Sequence, residues 1–205
     1  MGKKVALIGA SGRIGSMIAA ELLKRGHTVT GIARNPEKIT VNGMKNASGD
    51  FTNPQAMAQV LKGHDVVISA ASFIPEQAEQ LIASVRGSGV KRFLMVGGAA
   101  SLQTEPGGKK VIDTLDLPPA WKGAIMEGMR TLVLLKEVKD FDWTFFSPAV
   151  QIGPGERTGK FRLGGDVVVK DAAGVSKISY DDYAIAMVDE LEQGKHLNAR
   201  FTIGY

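Results

Sequence analysis

The sequence contains no cysteine among its 205 residues. Disulfide bonds, thiolate metal sites and cysteine nucleophiles are therefore excluded. Histidine is scarce as well, because only His27, His64 and His196 occur, far apart along the chain. Isolated histidines of this kind are more typical of surface turns than of catalytic bases or metal ligands, so we expect no metal site.

Long apolar runs and blocks of one charge are also missing. No apolar run is long enough to cross a bilayer, and the basic start leads into a predicted strand rather than a signal-peptide core. We therefore expect a cytoplasmic protein with no membrane partner. The net charge of +4 is spread along the chain, which favours a solvated surface and attraction to anionic cofactors over nucleic-acid binding.

A glycine-rich turn near the N-terminus organises the rest of the chain. Residues 5–8 form an apolar run of strand length, and apolar side chains recur at helical spacing from residue 17. Between them lie Gly9, Gly12 and Gly15, which in a doubly wound sheet permit the turn, the approach of phosphates to backbone amides, and close helix packing. The helix N-terminus adds unpaired amides. The pattern predicts dinucleotide binding, with a plain strand-helix turn as the alternative.

The end of the second predicted strand, residues 28–33, bears on the choice of dinucleotide. At this position an acidic residue binds the ribose hydroxyl of NAD, whereas an arginine accommodates the 2′-phosphate of NADP. Arg34 occupies it, Lys38 lies four residues further on, and Arg13 lies inside the glycine turn. The pattern favours NADP(H) and leaves NAD(H) open, and an exposed loop arginine is the alternative reading of Arg34.

Two short segments are further candidates for the same site. Asp50 follows a third strand predicted within residues 44–49, and its carboxylate either accepts a hydrogen bond from an adenine amino group or caps the residues after it. Ala70, Ala71 and Ser72 follow a strand at 66–69, and side chains this small let a ribose lie against the backbone.

Strands and helices alternate along the chain. Further helices are predicted at 54–61, 75–86, 121–139 and 180–192, and further strands at 90–96, 141–146 and 199–203. Continuous apolar strands are typical of a sheet that is buried on both faces. The pattern predicts a doubly wound parallel α/β sheet with right-handed crossovers, in one domain over residues 1–205.

Ser101 lies in the loop after the fifth predicted strand, where ligands of such sheets bind. Its hydroxyl either donates a hydrogen bond to a substrate or only forms a turn.

Residues 149–178 are glycine-rich around short strands at 160–163 and 167–169. The stretch is too short for a second domain, and we predict an insertion that acts as a lid over the site. Within it, Arg157 either pairs with a phosphate of the substrate or forms a structural salt bridge, and Thr158 adjoins it as a second candidate substrate residue. Beyond it, Ser179 is predicted to cap a helix whose first-turn aspartates stabilise the helix dipole.

Several stretches together resemble the atypical short-chain dehydrogenase/reductase proteins known as NADH-flavin reductases, relatives of the NmrA-like and biliverdin reductase B-like groups. They are residues 9–15, Arg34, 49–50, 142–148, 154–162 and 178–184. The similarity covers essentially the whole chain. It implies a Rossmann-type NAD(P)-binding fold of about seven strands in the order 3-2-1-4-5-6-7, and reduction of a flavin or quinone.

The resemblance also implies roles for individual residues. The pyrophosphate would lie on Ser11, Gly12, Arg13, Ile14 and Gly15, the 2′-phosphate on Arg34 and Lys38, the adenine on Asp50 and Phe51, the ribose on Ala70, Ala71 and Ser72, and the nicotinamide against Pro148.

The chain departs from the broader superfamily in its tyrosines. That superfamily places a catalytic tyrosine four residues before a lysine, and none of Tyr180, Tyr183 and Tyr205 has a lysine at this offset. Alcohol or ketone chemistry needs a proton donor at a carbonyl oxygen and is therefore disfavoured. Hydride transfer to a flavin (FMN or FAD) or a quinone requires mainly that two planar rings be positioned.

The sequence therefore favours an NAD(P)H-dependent oxidoreductase whose flavin or quinone enters between Ser101, Pro148 and residues 153–159. A non-catalytic NADP(H)-binding redox sensor of the NmrA-like type is the alternative, because a sensor needs no Tyr/Lys pair either. An isomerase or epimerase would need acid and base groups that the sequence does not reveal. A homodimer is compatible with the sequence.

Overall fold

The computed structural model describes residues 2–205, and within them it has two sheets and five α-helices. In chain order the elements are β1 (Lys4–Ile8), α1 (Arg13–Lys24), β2 (Thr28–Ala33), β3 (Lys45–Ser48), α2 (Pro54–Leu61), β4 (Val66–Ser69), α3 (Ala78–Ser88), β5 (Arg92–Val96), α4 (Pro119–Lys136), β6 (Asp142–Ser147), β7 (Gln151–Gly153), β8 (Arg162–Gly164), β9 (Lys177–Ser179), α5 (Tyr180–Gln193) and β10 (Ala199–Gly204). Short 3-10 turns occupy Pro36–Lys38 and Val111–Thr114.

The main sheet has eight strands in the order β3-β2-β1-β4-β5-β6-β10-β8. All neighbours pair in parallel except β8, which is antiparallel to β10. The predicted order is confirmed with β10 as the seventh strand, and the insertion supplies the eighth at the edge. The predicted strand at 167–169 is wrong, because this segment makes only a single bridge, between Val167 and Gln103.

The sheet is buried on both faces because alternate strand residues enter two separate cores. Val5 and Leu7 pack with α1 and α5 on one face, whereas Ala6 and Ile8 pack with α2, α3 and α4 on the other. This alternation explains why the central strands are continuous apolar runs. None of the helices within residues 2–205 is both long and apolar enough to span a membrane.

A stack of four rings ties α5 to the sheet. Tyr183 lies on Phe146, Phe146 on Phe201, and Phe201 on His196, with centroid separations of 4.2, 4.0 and 4.1 Å. Since Phe146 and Phe201 pair across β6 and β10, the stack fixes the carboxyl end of β6 against β10 and α5.

The start of α3 is set by a residue from another helix. The predicted start at residue 75 is wrong, because the helix begins at Ala78. Glu76 has a φ of 66°, outside the helical region, and the buried Glu127 of α4 accepts hydrogen bonds from the amides of Gln77 (3.1 Å) and Ala78 (2.9 Å). A carboxylate at this end satisfies amides that have no partner within the helix.

Candidate functional site

The turn between β1 and α1 has a backbone that only glycine fits. Gly9 has a φ of 79°, and a Cβ on it would lie 2.7 Å from the backbone of Ala70. A Cβ on Gly15 would lie 2.1 Å from the carbonyl oxygen of Gly9. Gly12 is the N-cap residue, and a Cβ on it would lie 3.3 Å from the same Gly9 oxygen. Gly9 and Gly15 therefore have the turn and packing roles that the sequence pattern predicts, and the approach of a phosphate at Gly12 stays a prediction.

A cavity of about 200 Å³ lies beside this turn at the carboxyl ends of β1, β2 and β4. We name it the glycine cleft. Its lining consists of Ile8, Gly9, Ser11, Gly12, Ile32, Ala33, Arg34, Gly49, Asp50, Phe51, Ala70, Ala71, Ser72, Ile74 and Gln77. The fold thus brings most of the predicted cofactor residues together, from four separate loops.

Five predicted cofactor residues lie outside this lining. Arg13 and Ile14 form the first turn of α1, and Gly15 is buried behind them. Lys38 is exposed on the 3-10 turn after β2. Pro148 is buried after β6, where its carbonyl oxygen accepts a weak hydrogen bond from Thr202 at 3.4 Å.

Asp50 shows the capping contact that is one of its two predicted roles. Its Oδ1 accepts a hydrogen bond from the amide of Thr52 at 2.9 Å. Asn53, not Asp50, caps α2, because its side chain accepts from the amide of Ala56. Asp50 still lines the glycine cleft, so its contact with an adenine stays a prediction.

The residues around the glycine cleft fit an anionic dinucleotide. The glycine turn leaves a ligand direct access to backbone, because side chains are absent where they would fill the space. The first turn of α1 contains no acidic residue, so its amides and dipole favour an anion. Arg34 is exposed at the mouth of the cleft, where a guanidinium suits a phosphate.

A second cavity, of about 270 Å³, lies between the loop after β5 and helix α4. We name it the apolar cleft. Its lining consists of Phe73, Gly98, Ala99, Ala100, Ser101, Val111, Ile112, Leu115, Leu117, Trp121, Ala124, Ile125, Gly128, Met129, Phe145 and Val150. None of these side chains carries a charge, and the polar side-chain groups are the Ser101 hydroxyl and the Trp121 indole N–H. The cleft therefore suits an uncharged, largely apolar ligand.

Aromatic rings form one wall of the apolar cleft, held in place by two glycines. Phe73 and Phe145 stack with centroids 6.4 Å apart. A Cβ on Gly128 would lie 3.1 Å from the Phe73 ring, and one on Gly97 only 2.3 Å from the Phe145 ring. Hydrogen at these two positions lets both rings lie flat against their neighbours.

Ser101 lines the apolar cleft, and it has an ionic partner that the sequence did not suggest. Its contact with a substrate stays a prediction, and neither Pro148 nor residues 153–159, between which the acceptor was expected to enter with Ser101, line this cleft. Arg200 of β10 donates from Nη1 to the Ser101 Oγ at 3.1 Å. The same guanidinium donates from Nε to Asp166 at 2.6 Å, and from Nη2 to the same carboxylate. The only available signal was a single charged residue, Arg200, in the closing strand.

The three tyrosines lie outside the apolar cleft. Tyr183 is fully buried and its hydroxyl donates to the carbonyl of Phe146 at 2.6 Å. Burial raises the pKa of the Tyr183 phenol well above its usual range. Tyr205 donates to Asp182 at 2.8 Å, and Tyr180 begins α5. No tyrosine lines the apolar cleft in the part of the chain that the structure describes.

Residues 156–161 are held against α1 by an ion pair and against α5 by hydrogen bonds. Arg157 pairs with the buried Glu21 at 2.8 Å, the structural salt bridge that was one of its two predicted roles. Thr158 donates its hydroxyl to Asp182 at 2.6 Å. Neither residue lines the apolar cleft, which the insertion borders through Val150 alone. Their contact with a substrate stays a prediction.

Two carboxylates anchor this segment in ionised form. Burial acts to raise the pKa of Asp182, but hydrogen bonds from Thr158, Gly159 and Tyr205 outweigh it and hold that pKa below its usual range. Burial likewise opposes ionisation of Glu21, while Arg25 and Arg157 together lower its pKa. Ser179 caps α5 as predicted, accepting from the amide of Asp182 at 3.0 Å.

Sequence reasoning missed several residues of the apolar cleft on α4. The helical spacing of Ile125, Met129, Leu132 and Leu135 predicts one core face on α4, but only the latter two are in the core. Ile125, Met129 and Trp121 line the cleft instead. Apolar periodicity alone does not distinguish a helix face that meets the core from one that meets a cavity.

The chain is similar to known proteins over almost all of its length. The model of the NAD(P)H-binding family matches residues 9–193. The uncharacterized protein YwnB of Bacillus subtilis is 37% identical over 209 aligned residues, which cover 98% of this chain and 97% of the relative.

Two solved structures share the fold over their full length. A proposed epimerase from Bacteroides thetaiotaomicron is 42% identical with a TM-score of 0.91, covering 100% of this chain and 98% of its own. A proposed NADH-flavin reductase from Streptococcus pneumoniae is 35% identical with a TM-score of 0.83, covering 99% of both chains.

Proposed function

The chain belongs to the NAD(P)H-binding family, and from that premise we propose that it is an NAD(P)H-dependent oxidoreductase whose acceptor is a flavin or a quinone. The observation that carries the proposal is that one loop lines both clefts. Ala70, Ala71 and Ser72 line the glycine cleft, and the next residue, Phe73, lines the apolar cleft. A dinucleotide in the first cleft and a ring in the second would therefore lie on either side of one loop.

The cofactor would supply a hydride from its reduced nicotinamide, and the protein would supply position. The glycine turn and the α1 N-terminus would hold the pyrophosphate, as such turns do. The exposed Arg34 would hold a 2′-phosphate, with Lys38 nearby, which favours NADPH over NADH. Hydride transfer between two aligned planar rings requires mainly orientation.

The composition of the apolar cleft argues against acid-base chemistry. Its lining contains no carboxylate, histidine, lysine or tyrosine within residues 2–205. An epimerase or an alcohol dehydrogenase needs a positioned acid or base. Reduction of a quinone or flavin needs neither, because its product takes a proton from water.

The proposal is tested by following NADPH oxidation after addition of FMN, riboflavin or a simple quinone, with NADH in parallel. Acceptor-dependent oxidation supports the proposal, and a faster rate with NADPH supports the role of Arg34. Tight binding of NADPH without turnover on any acceptor contradicts it and favours the redox sensor.

A variant pair tests the place of the acceptor. Ile125→Trp fills the apolar cleft and is expected to abolish turnover while NADPH binding persists. Val133→Trp on the same helix is the matched control, because Val133 is 63% exposed and outside the cleft. Equal turnover in both variants would place the acceptor elsewhere.

A further inference from the structure

The pair of Ser101 and Arg200 puts one polarised donor into an otherwise uncharged cleft. Ser101 Oγ accepts the Nη1 hydrogen of Arg200 at 3.1 Å. A serine hydroxyl has one hydrogen and two acceptor lone pairs. Because the guanidinium occupies a lone pair, the hydroxyl hydrogen remains available to a ligand in the cleft.

Arg200 places a positive charge beside Ser101, although its guanidinium is also paired with Asp166. The Arg200 side chain is 10% exposed, whereas that of its partner Asp166 is 72% exposed. Water screens the charge of an exposed carboxylate far more than that of a buried guanidinium. The Arg200 cation therefore acts on Ser101 with only partial compensation from Asp166.

The backbone holds this loop independently of the ion pair. The amide of Gln103 donates to the carbonyl of Asp166 at 2.8 Å, and the amide of Val168 donates to the carbonyl of Gln103 at 2.9 Å. Leu102 is fully buried beneath the loop. Removal of the Arg200 guanidinium therefore leaves the main anchors of the Ser101 loop in place.

We propose that Arg200 is a positioning residue that turns the Ser101 hydroxyl toward the apolar cleft. There the hydroxyl stabilises negative charge on a carbonyl oxygen of the acceptor ring. This inference rests on the proposed function for its role in turnover. Two electrons and one hydrogen pass to the acceptor as hydride, and the charge gathers on a carbonyl oxygen conjugated with the site of attack. Water then protonates this anion, so that NAD(P)H, acceptor and one proton give NAD(P)⁺ and the reduced acceptor. Donors aimed at developing charge in a dry site are effective catalysts.

An equilibrium titration tests the inference without any turnover. The probe is 4-nitrophenol, a planar phenol whose anion is coloured. Burial in the cleft acts to raise its pKa, and the Arg200 cation with the Ser101 hydroxyl is expected to outweigh burial and lower the pKa by about one pH unit. Arg200→Gln and Ser101→Ala are expected to abolish the shift, and Ile125→Trp to abolish binding. No binding or no shift in the unaltered protein would overturn the inference.

Steady-state kinetics separates an electrostatic role from a merely structural one. Arg200→Gln is expected to lower kcat about tenfold with little change in the acceptor KM, and Ser101→Ala about a hundredfold. Arg200→Lys is expected to restore part of the rate. Asp166→Asn breaks the ion pair but keeps the cation, so it is expected to retain kcat. Equal losses in Asp166→Asn and Arg200→Gln would show that the pair only braces the loop.

Arg86→Gln is the matched control. Arg86 forms a two-point pair with Asp140 on the surface, and neither residue lines either cleft, so neither readout is expected to change. If the unaltered protein turns over no acceptor while the phenol shift depends on Arg200, the proposed function fails and the Ser101–Arg200 site stands. If turnover is normal and the phenol shift is absent, the proposed function stands and the inference about Ser101 and Arg200 fails.

Discussion

Gly15 packs so closely on Gly9 that a Cβ on Gly15 would lie 2.1 Å from the Gly9 carbonyl oxygen. The contact joins the first turn of α1 to the end of β1 and sets where the helix dipole points. A methyl group here must displace the helix, and backbone cannot move as a flexible side chain does.

Gly15→Ala is therefore expected to lower stability by about 1–3 kcal/mol, the usual cost of overpacking, and to weaken NADPH binding. Thermal unfolding and fluorescence titration with NADPH measure the two effects. Gly165→Ala is the control, because a Cβ there meets nothing within 4 Å. Unchanged NADPH affinity in Gly15→Ala would separate this turn from cofactor binding.

Arg34 is the residue expected to distinguish NADPH from NADH. Arg34→Ala removes an exposed guanidinium from the mouth of the glycine cleft, and a charged hydrogen bond contributes about 1.5–3 kcal/mol. We expect the Kd for NADPH to rise at least about tenfold and the Kd for NADH to change little. Lys62→Ala, an exposed change after α2, is the control. Equal losses for both cofactors would assign Arg34 to general binding instead.

Arg157 tests whether the phosphate of a flavin is recognised. Because Arg157 pairs with Glu21 and the apolar cleft is uncharged, riboflavin and FMN are expected to have similar KM values. Arg157→Ala is expected to leave both unchanged and to lower stability by less than about 1 kcal/mol, since Arg25 still pairs with Glu21. A higher KM for FMN alone in this variant would restore the phosphate role of Arg157.

Asp182 makes stability depend on pH in the acid range. Its folded-state pKa is below the ordinary value of 3.8, so its contribution is present above that value and is lost as the pH falls through the lower folded pKa. Asp182→Asn is expected to destabilise the protein at neutral pH by about 1–3 kcal/mol. The difference from the unaltered protein should shrink below about pH 4.

Chemical denaturation at several pH values measures this effect. Asp181→Asn, one residue earlier on α5 and partly exposed, is the control and is expected to show a small difference at every pH. A constant difference for Asp182→Asn across the acid range would show that its ionised form contributes nothing to stability.

Features that depend on short stretches of chain could be predicted from the sequence. The order of strands and helices follows from the period of apolar residues, and the glycine turn from spacing alone. The glycine cleft was largely predictable, because Gly9, Arg34, Asp50 and Ala70 each follow a strand and parallel strands end at one edge. The cap at Ser179 is local in the same way.

Contacts between distant residues could not be predicted in this way. His27 was expected on the surface, but it is 7% exposed, with Nδ1 accepting from the amide of Lys3 and Nε2 beside Glu192. The start of α3 depends on Glu127, nearly fifty residues later in the chain.

The sequence by itself determined the fold class, the succession of strands and helices along the chain and the glycine turn, because periodicity and backbone freedom are properties of neighbouring residues. Only the tertiary structure decided the partners of Ser101 and Arg157, since Arg200 and Glu21 lie far from them in the chain. It also decided that Ile125 and Met129 face a cavity, because that depends on which elements pack beside α4. Charge and shape in the apolar cleft arise from packing, and no local pattern encodes them.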